Sequence, residues 1–269
     1  MKNTHSIKGQ IEMSLSSMSH IEKKVAEYFL KDANLKSDLS VKNISEILHV
    51  SQSTLTRFSK KCGFTGYREF LFEFQNSQQY FEYNFVNFQN RLTQEIFVDY
   101  NDIIEKTNLL VDERQLERVA QMINQASRVY LCGAGSSGLV AREIKIRLMR
   151  LGVVCEVVND LDSLNWTKGL LNDTCLFIGY SISGHTKLVN EALINASTNG
   201  AKSILFTTLT AQTFPISEVV RVASVKNIEY GNRISPQFPM LLMMDIIYSY
   251  FLMINQEEKE TIFSKTFSD

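Results

Sequence analysis

Two short segments carry hydroxyls and glycines at a spacing suited to gripping an anion: CGAGSSG (132–138) and SISGHT (181–186). Each follows an apolar run, RVYLC (128–132) and TCLFIGY (174–180), and each opens a stretch with helical periodicity. The N-terminus of a helix offers free N–H groups and the positive end of its dipole, which together favour a phosphate. Ser136 and Ser137 add hydroxyl donors to the first loop. Ser181, Ser183 and Thr186 add them to the second, around the backbone amides of Gly184. Ligands of open α/β sheets bind beyond the C-terminal ends of the strands, so two such loops can converge on one compact phosphate. Two other readings stand beside this one. Gly133, Gly135 and Gly138 also spell G-x-G-x-x-G, the dinucleotide fingerprint, with Asn159-Asp160 after the next apolar run as a source of the acidic ribose contact. The plainest reading makes both loops ordinary caps and turns, which explains one of them more easily than two.

A different chemistry is written into VKNISEILHVSQSTLTRFSKK (41–61). Ile44, Leu48, Val50, Leu55 and Phe58 are apolar at the offsets that lock two short helices in a helix-turn-helix, and Ser45 is small where those helices approach. His49 stands at the turn, where glycine is usual; histidine tolerates positive φ better than most residues. Ser51 is placed to cap the second helix. That helix turns Gln52, Ser53, Thr56, Arg57 and Lys60 away from Leu55 and Phe58. From Ser51 to Arg68 there are four basic residues and no acidic ones. Gln and Arg suit bidentate contacts to adenine and guanine edges, whereas Lys60, Lys61 and Arg68 suit phosphates. The competing reading is a helical hairpin with a solvated basic face.

The elements that must position these groups fall into two grammars. Residues 1–77 read as wholly helical, with helices expected over about 20–31, 42–48 and 52–62 and a further one from Tyr67. Ser19 and Glu22 form a capping box for the first of these. Residues 78–112 place Phe81, Phe85, Phe88, Leu92 and Ile96 on one helical stripe, expected to be a connecting helix or a dimer-forming one. From 113 to 269 short apolar runs, including VVCEVV (153–158), SILFTT (203–208) and VVRVASV (219–225), alternate with helical stretches near 186–198 and 238–254. Strands alternating with helices predict a parallel sheet covered on both faces.

The totals agree with a soluble globular chain: 44% hydrophobic and 21% charged residues, with 3 Pro and 12 Gly in 269. The net charge of -1 conceals a split of +3 over residues 1–77 and -4 over the rest, which points to a polyanion partner for the front end only. Cys62, Cys132, Cys155 and Cys175 show no C-x-x-C spacing and are expected to be buried free thiols of a reducing compartment. The first residues hold no apolar core of roughly 7–15 residues, and no run approaches about 18, so neither a signal peptide nor a membrane span is expected.

MSHIEKKVAEYFL followed by ISEILHVSQSTLTRFSKKCGFTGYREF resembles the helix-turn-helix domain of RpiR/MurR-type regulators. GAGSSGLVAREIKIRLMRLG and SISGHT resemble the two signature loops of the SIS (sugar isomerase) domain that those regulators carry. The resemblance implies an all-α helix-turn-helix domain over 1–77, a helical linker over 78–112, and an α/β SIS domain over 113–269 with a parallel five-stranded sheet flanked by helices. It implies a cytoplasmic homodimer or homotetramer that binds a double-stranded DNA operator and a phosphorylated sugar effector, with no cofactor, metal or membrane. Ser137, with Ser136 beside it, falls on the first loop's phosphate position, and Ser181, Ser183 and Thr186 fall on S-x-S-G-x-T. Ile182 replaces a Gln found in the aminotransferring isomerases, and Phe214-Pro215-Ile216 departs from the S-P-L turn usual in the family. SIS domains also occur in isomerases, which need a general base within reach of the sugar. His185 and Glu191 are the candidates near the loop, yet no nucleophile–base pair or metal cluster is recognisable. A regulator without catalysis is therefore expected, with a dinucleotide sensor or a sugar-phosphate isomerase as the alternatives.

Overall fold

The computed structural model describes residues 7–30, 38–75, 90–209, 214–224, 227–228 and 231–266, and its contacts divide the chain into two units, Met1–Leu109 and Leu110–Asp269.

In the first unit, α1 (Ile7–Ser14), α2 (His20–Leu30), α3 (Val41–Leu48), α4 (Gln52–Lys61) and the helical residues 67–75 (α5) surround an aromatic core. Phe29 of α2 sits at its centre, with the rings of Phe58, Phe70 and Phe74 between 4.9 and 5.9 Å away. The helices start where their capping residues stand. Ser19 and Glu22 exchange hydrogen bonds at the head of α2, and Ser40 and Ser51 accept from Asn43 N and Thr54 N at the heads of α3 and α4. Between α3 and α4, His49 takes the left-handed conformation at φ 52°, so the histidine stands where φ is positive, as expected. The amide of Val50 returns to Ser45 O, that of His49 to Glu46 O, and Lys24 Nζ donates to Leu48 O, which satisfies these three carbonyls at the end of α3.

Helix α6 (Arg91–Leu110) belongs to this unit by its contacts. Phe81, Phe85 and Phe88 of the expected stripe lie outside the described residues. Of its two described members, Leu92 is exposed and Ile96 half-buried. The buried side of α6 is instead Ile103, Lys106 and Thr107. Lys106 pairs with Asp102 at 2.8 Å and with Glu12 on α1. A seam built around an ion pair has no hydrophobic period for a sequence pattern to register.

The second unit opens with α7 (Glu113–Gln125) and continues as β1 (Arg128–Gly133), α8 (Ser136–Met149), β2 (Cys155–Val158), α9 (Leu161–Lys168), β3 (Cys175–Tyr180), α10 (Lys187–Thr198), β4 (Lys202–Thr207) and β5 (Glu218–Arg221). It closes with α11 (Phe238–Met253) and α12 (Gln256–Ser264). The five strands form one parallel sheet in the order β2-β1-β3-β4-β5. Side chains alternate across it. Val129 and Leu131 enter a core with α7, α8 and α11, while Tyr130 and Cys132 enter a second core with α9 and α10. Every residue of β3 is buried, as a central parallel strand covered on both faces requires. β5 is shorter than the run VVRVASV suggests, because its pairing with β4 ends at Arg221. All four cysteines are buried and free. Desolvation raises the thiols of Cys62, Cys132 and Cys155 to about 12, which leaves them inert as nucleophiles. Among the described residues no single helix is long and apolar enough to cross a membrane. The apolar α11 buries Met240, Met243, Met244, Ile247 and Phe251 in the core of its own unit.

Candidate functional site

The strand order settles where the two hydroxyl-rich loops lie. After β2 the chain crosses back over β1 to form β3, so β1 and β3 are neighbours whose outgoing connections run to opposite sides. That is the topological switch point, where open α/β sheets bind ligands. Gly133 is in register with Tyr180, so residues 134–137 and 181–186 leave the same sheet edge side by side.

Each loop is shaped by backbone constraints. A Cβ on Gly133 would lie 2.5 Å from Ser137 O, and one on Gly138 would lie 2.8 Å from Gly133 O, so the turn from β1 into α8 closes only with glycine at both positions. Gly184 sits at φ 65°, and a Cβ there would lie 2.3 Å from Leu209 Cδ1. Ser181 is buried, and its hydroxyl meets that of Thr186 at 2.8 Å, bracing the two ends of the second loop. Ser183 Oγ accepts from His185 N, and Ile182 O accepts from the hydroxyls of Thr207 and Thr208. Ser136 and Ser183 are exposed, Ser137 and Thr186 half-buried. The helices behind the loops are uncapped: neither Gly135 before α8 nor Thr186 before α10 gives a side-chain cap, whereas α7 and α9 are capped by Asp112 and Asp160. Two helix N-termini without carboxylate caps, flanked by hydroxyls at one sheet edge, have the electrostatics that favour an anion.

In the first unit, Ser51, Gln52, Ser53, Arg57, Lys60, Lys61 and Arg68 are exposed and Thr56 is half-buried, while Leu55 and Phe58 on the other side of α4 are fully buried. Some of this set is already engaged. Ser51 caps α4, Thr56 Oγ1 donates to Gln52 O, and Arg57 donates to Thr54 Oγ1. Lys61 Nζ donates to Ser17 O at 2.6 Å and to Glu22 Oε2 at 2.7 Å. Glu22 is almost fully buried, and its carboxyl is held down at about 2 by the Lys61 hydrogen bond, against a burial effect of opposite sign and with further help from Ser19.

Residues 5–80 match the helix-turn-helix domain of the rpiR family, and residues 122–229 match the SIS domain. The chain belongs to the RpiR family of helix-turn-helix regulators. An uncharacterized HTH-type transcriptional regulator of Haemophilus influenzae is 28% identical over 96% of this chain and 93% of its own length. The HTH-type transcriptional regulator RpiR of Escherichia coli is 27% identical over 73% and 69%. The structure of the Vibrio vulnificus NanR protein complexed with ManNAc-6P superposes with a TM-score of 0.60, covering 96% of each chain at 19% identity, and so shares the fold.

Within this family frame, the acid required by the dinucleotide reading is occupied. Asp160 accepts from Ser163 N at 2.7 Å in a capping box, and those hydrogen bonds from Ser163 hold its carboxyl below the ordinary range. The isomerase candidates are no better placed. Glu191 faces Lys187 at 3.8 Å, and His185 is exposed. Among the described residues no group of three His, Cys, Asp or Glu side chains could hold a metal.

Two contributors escape a reading of the sequence. Asn190 of α10 donates from Nδ2 to Gly184 O at 3.1 Å and steadies the second loop from behind. Glu22 reaches α4 from a helix that ends before α3 begins. Asn190 has no motif, and the capping box that marks Glu22 says nothing of α4; each role is found through a tertiary contact.

Proposed function

We propose that this chain is a DNA-binding transcriptional regulator of sugar or amino-sugar metabolism whose SIS unit binds a phosphorylated sugar, and that this ligand changes its affinity for an operator. The observation that carries the reading is the pair of uncapped helix N-termini, α8 and α10, opening from hydroxyl-rich loops on the neighbouring strands β1 and β3. Ser136, Ser137, Ser181, Ser183, Gly184 and Thr186 would hold the phosphate, with the part-buried Ser181–Thr186 hydroxyl pair also shaping the loop. The NanR protein of Vibrio vulnificus, complexed with ManNAc-6P, shares this fold and makes an N-acylated hexosamine 6-phosphate a first candidate.

At the other end, Gln52, Ser53, Thr56 and Arg57 would face base edges, and Ser51, Lys60 and Arg68 would face the phosphate backbone, while Lys61, expected from the sequence among the phosphate contacts, is turned to Glu22 and Ser17. The protein acts as a homodimer or homotetramer in the cytoplasm and performs no turnover. The paired Glu191 and the hydrogen-bonded SISGHT loop support a sensor over an isomerase. Thermal-shift measurements against hexose and hexosamine 6-phosphates, with inorganic phosphate and NAD as controls, test the ligand class. A sugar phosphate is expected to stabilise the folded chain by mass action, by about 2.7 kcal/mol at one hundred times its Kd, and so to raise the melting temperature. A response to NAD alone, or steady turnover of a sugar phosphate, would replace this reading.

A further inference from the structure

The carboxylate of Glu22 stands against α4 rather than on its own helix's solvent face. Its side chain is 3% exposed. Ser19 N donates to it at 2.7 Å, which closes the cap of α2 and fixes the carboxylate in place. From there it meets two of the four cations of the acid-free stretch 51–68: Lys61 Nζ at 2.7 Å and Arg57 Nε at 3.7 Å. The two cations are held differently. Lys61 has a second acceptor in Ser17 O, and its side chain is 34% exposed. Arg57 is tethered on the inner edge of its guanidinium, by Glu22 and by Thr54 Oγ1 at 3.2 Å, and remains 62% exposed.

We infer that Glu22 is a positioning residue of the DNA-binding face: it draws Lys61 back from the phosphate backbone and aims the outer edge of Arg57 at the base edges. This rests on the proposed DNA-binding function and gives that face its balance between non-specific and specific binding. A free lysine and a free arginine on α4 would each find phosphates on any duplex, and every phosphate neutralised steepens the salt dependence and adds sequence-independent affinity. Tethering both through one buried carboxylate lowers that background. It also spares Arg57 the entropy of ordering a long side chain when it docks, which favours the directional contact. Lys61 thereby leaves the set of phosphate contacts that the basic pattern of α4 suggests and becomes a strut between α4 and α2.

The test is equilibrium binding of the full chain to a random-sequence duplex and to a duplex from its own promoter, between about 50 and 200 mM salt. Glu22→Gln keeps an oxygen for Ser19 N and removes the charge. Its expected effect is tighter binding to the random duplex, a log–log salt slope steeper by about 1 to 2, and a smaller ratio of promoter to random affinity. Lys61→Met is expected to leave the wild-type slope unchanged, because Lys61 contacts no phosphate while Glu22 holds it. It stands as the test by itself should Glu22→Gln fail to fold. In the Glu22→Gln background, Lys61→Met should remove about one unit of the added slope. An unchanged slope for Glu22→Gln, or a slope shallower by about one for Lys61→Met alone, overturns the inference. Failure of the wild-type chain to bind any duplex would instead remove the DNA-binding function on which it rests.

Discussion

At the scale of single residues, the two candidate sites are built in opposite ways. The anion site depends on atoms that are missing: without a Cβ, Gly133 and Gly138 let the turn approach α8, and Gly184 lets the second loop fold under Leu209 at φ 65°. Gly184→Ala is expected to lower stability by about 1–2 kcal/mol from the left-handed strain alone, more if Leu209 cannot yield, and to abolish stabilisation by sugar phosphates. A calorimetric scan with and without ligand checks both; a full ligand shift in Gly184→Ala would remove the loop from the site. The DNA-binding face depends on a buried charge. The carboxyl of Glu22 lies near 2 in the folded chain against an ordinary 4.5, because Lys61 hydrogen-bonds to its ionised form. A lowered carboxyl contributes stability that is full above the unfolded value and is lost as pH falls towards the folded one. The first unit should therefore weaken between about pH 4.5 and pH 2, and Glu22→Gln should flatten that part of the curve, as read from denaturant midpoints across the range. An identical acid limb in the variant would show that other carboxylates govern it.

Among the elements, α6 has a seam of unexpected composition. Lys106 is 5% exposed and joins Asp102 on its own helix to Glu12 on α1. Removing the lysine takes a buried cation away from two carboxylates, so Lys106→Met is expected to destabilise the first unit by about 1–3 kcal/mol, less than a fully buried triad because Glu12 and Asp102 stay partly accessible. Amide exchange along α6 should quicken in the variant; unchanged protection would mean that Ile103 and its apolar neighbours hold the helix unaided. This seam also marks where the sequence was legible. Helices with an apolar stripe and a serine at the start, such as α3 and α4, were visible within a residue or so, as were β1, β3 and β4. α6 was visible as a helix, but not by its buried face, since no period announces a lysine between two carboxylates. α9 was missed because Leu161 and Trp166 lie on its exposed side and its buried set is small, and α12 because its sequence QEEKETIFS is mostly charged and polar. The loops of the anion site were legible because glycine and serine spacing is a local property. Glu22 and Asn190 were not, because their roles exist only once α2 meets α4 and α10 meets the second loop.

For the whole molecule, the two sites lie in separate compact units of the chain, and the excess of positive charge is confined to residues 1–77 of the first. A sugar phosphate bound in the second unit can alter DNA binding by the first only if it binds two conformations of the protein unequally. Paired half-sites on a two-fold operator stand about 34–36 Å apart or multiples of it, so in the proposed dimer or tetramer a modest rotation between protomers would be enough to spoil simultaneous docking. The magnitude is bounded: coupling of this kind amounts to about 1–3 kcal/mol, a change of roughly 5- to 150-fold in affinity. Linkage makes the idea testable from either end. If a sugar phosphate changes operator affinity by some factor, saturating operator must change the affinity for that sugar phosphate by the same factor, in the same direction. Calorimetric titration of the ligand into free and operator-bound protein measures the second factor, and anisotropy of labelled operator at zero and saturating ligand measures the first. Two equal factors different from one are the expected result. Ligand affinities that are identical with and without operator would leave the SIS unit a binding module with no hold on the helix-turn-helix.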